Sequence, residues 1–351
     1  MAPFGNFSSD HADHVYVSGV GFLSGRDPFH FVERDLRRIA VSTGFCLLLL
    51  LLLPTVVLWP VEIFSSVNNA VISMIFGSGA LTAVAEVLRE LQELIIAALT
   101  WLMVLFLLRG ILQPPSLKAA STLGAKRSTI CALLITAGMT AMISCGTYAL
   151  EEIMETLHLI ELSPGRPMPD SPAAIFVHLT RMILMPAVFE ELLFRGCLMQ
   201  ALRRHGDSFA LFFSSLCGGL IHYTVTSNLS GFVMGLIFGY FMLRTGSIRT
   251  AICCHVIYLA LPYLPEGFQS LLGAGQYQQV WLLAMVLLCA AGLAGFVLFC
   301  RWNHNAFILD DSRGKGMPFR RKLSLCLTSA PMLLAVIFWL AQAVRNLQVI
   351  S

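Results

Sequence analysis

Nine apolar segments, separated by short charged loops, set the first limit on this chain, because a helix of roughly 20 apolar residues crosses a bilayer core of about 30 Å. They lie near Ile39–Pro60, Leu94–Gln113, Thr129–Leu150, Pro172–Arg203, Phe209–Tyr223, Leu229–Leu243, Ile248–Leu264, Val280–Cys300 and Leu323–Val344. The expected fold is all-α, a polytopic transmembrane helix bundle of about 8–10 spans. A further apolar stretch, Val67–Val87, carries Asn68, Asn69 and Glu86 among small residues and reads as re-entrant or interfacial. Composition points the same way: 57% hydrophobic and 12% charged residues leave too little polar surface to cover a soluble globule of 351 residues.

Loop charge sets the expected orientation, because short cytoplasmic loops retain Lys and Arg during insertion. Nine spans put Arg34, Arg37 and Arg38 on one side with Lys118, Lys126, Arg127, Arg203, Arg204, Arg244, Arg249 and the basic stretch Arg313–Lys322. The other side receives Glu151, Glu152, Glu155, Glu161, Asp170 and Glu266. The expected location is the cell membrane, with a cytoplasmic N-terminus. Residues up to about Arg38 are polar and lack the pattern of a removable targeting peptide. The net charge of +3 is explained by membrane topology, so no nucleic-acid partner is expected. The ten cysteines form no CxxC pair and read as reduced core residues.

The fourth segment carries an anomaly: Glu190, Glu191 and Arg195 stand inside otherwise apolar helix. Ionisable groups at membrane depth cost from about 2.5 kcal/mol upward and face a protein interior or a wet cavity. Glu191 and Arg195, four apart, share a helix face and suit an ion pair; Glu190 lies about 100° away and is the candidate free carboxylate. Pro186 removes a backbone donor, frees the carbonyl of Met182 and is expected to kink the helix just before the pair. The competing reading is a helix end with Arg195, Arg203 and Arg204 snorkelling to phosphates. Glu151 and Glu152, also adjacent, lie beside a polar loop and read as a solvated helix end.

Two histidines bear on that choice. His222 closes the fifth segment, and His255 sits near the middle of the seventh. A carboxylate desolvated in an apolar pocket takes a proton from water, and imidazoles position that water or stabilise the oxyanion formed on a carbonyl. The same residue types also suit Zn²⁺ bound by His222, His255 and a glutamate, but no HExxH spacing is present. Gly231, Gly235 and Gly239 recur at four-residue spacing on the sixth segment, a pattern that lets helices approach closely in lipid.

Glu190-Glu191-x-x-x-Arg195, then His222, then Gly239–Ile248, then His255 resembles the CPBP (CAAX protease and bacteriocin-processing, or ABI) family of intramembrane glutamic endopeptidases, which includes type II CAAX prenyl endopeptidase. The resemblance covers about residues 172 to 264. It implies Glu190 as general base, Glu191 and Arg195 as the supporting pair, His222 and His255 assisting at the water and oxyanion, no required metal or cofactor, and a membrane-associated or lipidated protein or peptide as substrate. It divides the chain into a cytoplasmic segment (1–38), flanking helices and loops (39–171), a catalytic core (172–264) and C-terminal helices (265–351). Two positions depart from the family pattern. Gly218 stands where phenylalanine is usual, with Phe212 or Phe213 as candidate replacements for that wall; Leu259 stands where asparagine or aspartate is usual, with Tyr258 or Asn228 as candidate substitutes. Leu259 also keeps open an inactive protein of the same fold that binds peptides as an immunity factor, scaffold or sensor.

Overall fold

The computed structural model describes residues 14–17, 21–24, 29–76, 80–114, 126–162, 168–264, 274–303, 305–312 and 316–349. A short antiparallel hairpin of β1 (His14–Val17) and β2 (Gly21–Ser24) precedes α1 (His30–Phe76) and α2 (Ala80–Leu112). There follow α3 (Lys126–Thr156), strand β3 (Leu159–Glu161), α4 (Pro172–His205), α5 (Asp207–Gly219), α6 (Val225–Thr245) and α7 (Ile248–Ala260). The chain ends in α8 (Ala274–Trp302), α9 (Phe319–Leu327), α10 (Ala330–Asn346) and β4 (Leu347–Val349), which pairs antiparallel with β3. The protein is an all-α, multi-pass membrane helix bundle.

Eight of the nine expected segments correspond to single helices and the ninth to the pair α9 and α10, with informative differences in length. Among the described residues, 6 helices are long and apolar enough to cross a membrane: His30–Leu53, Val84–Leu112, Lys126–Thr156, Pro172–His205, Val225–Thr245 and Gln276–Trp302. The pair α9 and α10, bent by 74°, forms a seventh, broken unit. The remaining two, α5 and α7, have 13 residues each and rise only about 20 Å. The first crossing helix starts nine residues before Ile39, and the second extends to Val84, ten residues before Leu94. The stretch Val67–Val87 is helical up to Phe76 and again from Ala80, and the side chains of 67–83 lie outside the described residues.

The short α5 decides where the site forms. Glu190 lies roughly 20 Å along α4 from the turn at His205, and α5 climbs back by about the same rise before ending at Gly219. The turn after α5 therefore returns to the depth of Glu190. Helix α6 starts with the Thr224 hydroxyl accepting from the Ser227 N–H at 3.1 Å and ends at Gly246, whose φ of +65° is left-handed and suits glycine.

Packing around this centre uses close backbone approach. Helices α3 and α8 meet where a Cβ on Gly138 would stand 2.6 Å from the Cα of Gly292. Without a hydrophobic driving force in lipid, such small-residue contacts carry much of the helix association. Of the ten cysteines, all free, six are buried, Cys289 and Cys300 are half-buried, and Cys145 and Cys253 are exposed, so the core expectation holds in full for six. Glu151 and Glu152 are exposed near the end of α3, as a solvated helix end requires. Gly292→Leu is expected to cost about 1–3 kcal/mol of stability through forced separation of α3 and α8, read as a lower unfolding midpoint in detergent. Gly146→Leu, at a position with open space on the partner helix α3, is expected to leave that midpoint unchanged.

Candidate active site

The site is built on an irregular stretch of α4. Two wide π-type segments interrupt the α-helix, Thr180–Leu184 and Glu191–Met199. In the first, the N–H of Met185 bonds the carbonyl of Thr180, a five-residue step that accommodates the missing N–H of Pro186. The helix thus passes the proline within one span, Pro172–His205, with a wide turn at the place where a kink is expected from sequence. The second begins at Glu191 itself. Wide turns of this kind re-aim side chains within a helix and are frequent at functional sites.

Glu190, Glu191, Arg195 and His255 are all buried, so the snorkelling alternative fails for Arg195. Glu191 is at 0% exposure and accepts at Oε1 from Arg195 Nη1 at 3.2 Å and from His255 Nδ1 at 2.9 Å. Arg195 Nη2 donates to the carbonyl of Gly235 at 2.9 Å, and the guanidinium lies 5.9 Å from the Phe238 ring centroid. Desolvating such charges costs several kcal/mol per ion, which mutual pairing and these hydrogen bonds offset. The His255 ring stacks on Phe238 at 4.9 Å, with 28° between planes. Because a carboxylate only accepts, the bond to Glu191 puts the proton on Nδ1 and turns Nε2 toward Glu190, whose Oε2 is 3.9 Å away. Glu191 is thereby committed to two partners, and Glu190 has no contact inside hydrogen-bond range with either histidine or arginine.

The glycines of α6 make room for these groups. A Cβ on Gly235 would stand 2.8 Å from Arg195 Nη2, and one on Gly231 would stand 2.7 Å from His222 Cδ2. The stripe read as helix-packing material therefore also seats the arginine and the histidine. His222 does not lie on α5; it occupies the turn that joins α5 to α6. Glu190, Arg195, Gly218, His222, Gly231, Met234, Phe238, His255 and Tyr258 enclose a cavity of about 10 Å³, the space of about one water. The structure thus brings together Glu190, His222 and His255, with Arg195 on the wall and Glu191 behind it.

The two departures have structural counterparts. Gly218 lines the cavity, and a Cβ there would meet the Phe194 ring at 3.6 Å. Neither Phe212 nor Phe213 is in the lining; Phe212 packs on Phe232 and Phe319, and Phe213 on Phe209. Phe238 supplies the aromatic wall instead. Next to Leu259, Tyr258 lines the cavity, and its hydroxyl donates to Ser230 Oγ at 3.1 Å. Asn228, one turn before Gly231, has a buried side-chain nitrogen without a hydrogen-bond partner.

A second buried charged cluster joins α2 to the start of α4. Glu90 Oε2 bonds His178 Nδ1 at 3.2 Å and Arg181 Nη2 at 3.1 Å, and Arg181 reaches Glu93 at 3.4 Å. A second span that starts at Leu94, as expected from sequence, leaves these acids outside the helix, whereas α2 begins at Ala80. The spacing of Glu86, Glu90 and Glu93, set against His178 and Arg181, was the signal for it. Among the described residues, no three His, Cys, Asp or Glu side chains converge as a metal-ligand set.

Residues 172–261 match the family model described as type II CAAX prenyl endopeptidase, Rce1-like, so this segment carries the pattern of the CPBP/CAAX protease family. The match spans α4 to the end of α7 and includes every cavity residue. No curated protein and no solved structure matches the chain. The pairing around Glu191 predicts unequal roles in stability. Glu191→Gln leaves Arg195 buried without its anion and is expected to cost about 3–5 kcal/mol, whereas Glu190→Gln is expected to cost about 1 kcal/mol or less. Denaturation of both variants in one detergent checks this, and equal losses contradict it.

Proposed function

Taking residues 172–261 as a CAAX-endopeptidase-like core, we propose that this protein is an intramembrane endopeptidase that hydrolyses a peptide bond of a membrane-associated or lipidated protein or peptide. The observation that carries the reading is the division of the two glutamates: Glu191 is held by Arg195 and His255, while Glu190 faces the cavity without a hydrogen-bond partner, its Oε2 3.9 Å from His255 Nε2. One water bound there is oriented by His255 Nε2 and gives a proton to Glu190 as its oxygen attacks the scissile carbonyl carbon. His222 donates to the oxyanion of the tetrahedral intermediate. Glu190 then passes the proton to the leaving nitrogen as the C–N bond breaks, which restores the carboxylate. Arg195 does not touch the reacting atoms; it fixes Glu191, and through it the tautomer of His255.

In this reading the chemistry uses no metal or cofactor, as the resemblance to the CAAX endopeptidases implies, and no HExxH spacing occurs. The alternative, Zn²⁺ on His222, His255 and a glutamate, predicts loss of activity under chelation. The Lys/Arg bias of the loops supports a cytoplasmic N-terminus in the cell membrane.

Leu259 favours a second reading, a non-catalytic member of the fold that binds membrane peptides, since loss of one oxyanion donor costs about 10²–10³ in rate. In proteoliposomes with a prenylated reporter peptide, Glu190→Gln is expected to lower kcat by about 10²–10⁴, and turnover equal to the wild type refutes the assignment. Leu259→Asn is expected to raise kcat. Peptide binding without turnover in either the wild type or Leu259→Asn favours the second reading.

A further inference from the structure

The turn that carries His222 is held largely by parts of the chain outside the family-matched segment. The indole Nε1 of Trp339 donates to the main-chain carbonyl of His222 at 2.8 Å, and Asn346 Nδ2 donates to the carbonyl of Tyr223 at 3.1 Å. Both donors come from α10, where positions seven apart share a face. Asn346 is buried, and its own carbonyl accepts from the N–H of Leu162 at 2.8 Å. That contact continues into the pairing of β3 with β4, in which Glu161 lies opposite Leu347.

Glu161 extends the same support to α6. Its carboxylate accepts from the N–H groups of Val225, at 2.5 Å, and Thr226, at 3.2 Å, and from the Thr226 hydroxyl. A carboxylate at this place satisfies donors that the first helical turn leaves open and complements the positive end of the helix dipole. On its other side the His222 ring faces Gly231, where even a methyl group would collide with it. The turn between α5 and α6 is thus gripped by α10 from the main-chain side and confined by α6 from the ring side.

We propose that Trp339 and Asn346 are positioning residues for His222, through which the C-terminal helix sets the geometry of a site it does not line. The proposal rests on reading His222 as part of the catalytic group. Residues of a turn have few backbone partners of their own; the N–H of His222 bonds only back to Gly219, at 3.0 Å. Removing an external donor frees the turn without emptying the core. An imidazole misplaced by a fraction of an ångström loses oxyanion stabilisation before it loses substrate affinity.

The test combines amide hydrogen exchange of the purified full-length protein with reporter turnover. Trp339→Phe keeps the ring and removes the indole N–H, and Asn346→Leu removes the second donor independently, so misfolding of one variant leaves the other decisive. In each, exchange within 220–224 is expected to be about 3- to 10-fold faster, while exchange in α4 and α8 stays as in the wild type. Val344→Ala, at an exposed position of α10, is expected to change nothing. Turnover is expected to fall about 3- to 10-fold in kcat with KM unchanged, and Trp339→Phe is expected to add no further loss in a His222→Ala background. Unchanged exchange at the turn, faster exchange throughout the bundle, or a full additional kcat loss in the His222→Ala background overturns the proposal. A wild type without turnover counts against the peptidase reading, and faster exchange confined to the turn then still supports the positioning role.

Discussion

The site depends on keeping a carboxylate, Glu191, charged at 0% exposure among membrane helices. A single partner would leave that burial unfavourable; Arg195 and His255 together make it tenable, and in doing so they tie α4 to α7. Arg195 then needs acceptors of its own and takes the Gly235 carbonyl, which brings α6 against α4. One buried charge thereby accounts for the mutual placement of three helices. It also explains why α6 must be bare at Gly235, where a methyl group would press on the guanidinium.

Depth in the membrane is set by helix length. The 13 residues of α5 are too few to span the bilayer, so the turn at His222 stops at the level of Glu190. Had α5 been a full span, the histidine would lie at the far surface. The wide segment starting at Glu191 adds a local adjustment, turning Glu190 into the cavity while Glu191 stays behind its wall. Helix irregularity and helix shortness thus achieve what two regular spans would not, a water-sized polar space enclosed by apolar helices.

The apolar runs made the bundle legible because burying a span in lipid leaves a composition signal in every residue. The four-residue spacing of Glu191 and Arg195 likewise gave their pairing, since helical periodicity fixes which side chains meet. Helix lengths were less legible: His222 follows an apolar run that hides the end of α5 at Gly219, and only Thr224 hints at a new helix start. The Glu90 cluster stayed hidden because its acids looked like a loop flanking the second span. The partners of the His222 turn, Trp339 and Asn346, were beyond sequence reasoning altogether, since a side-chain bond to a main-chain carbonyl over a hundred residues away leaves no periodic trace. Gly231 and Gly235 illustrate a third case, in which the pattern was read but one of its purposes, seating an imidazole and a guanidinium, was invisible.

The central claim is that Glu190, held free by the pairing of its neighbour, makes this bundle a peptidase. Quantitative mass spectrometry of protein termini, comparing membrane and secreted fractions from cells with the wild type or Glu190→Ala, tests it most directly. The account predicts a defined set of new termini, from membrane-associated or lipidated proteins, present with the wild type and lost with the variant. Identical termini in both, with equal amounts of folded protein in the membrane, would contradict it.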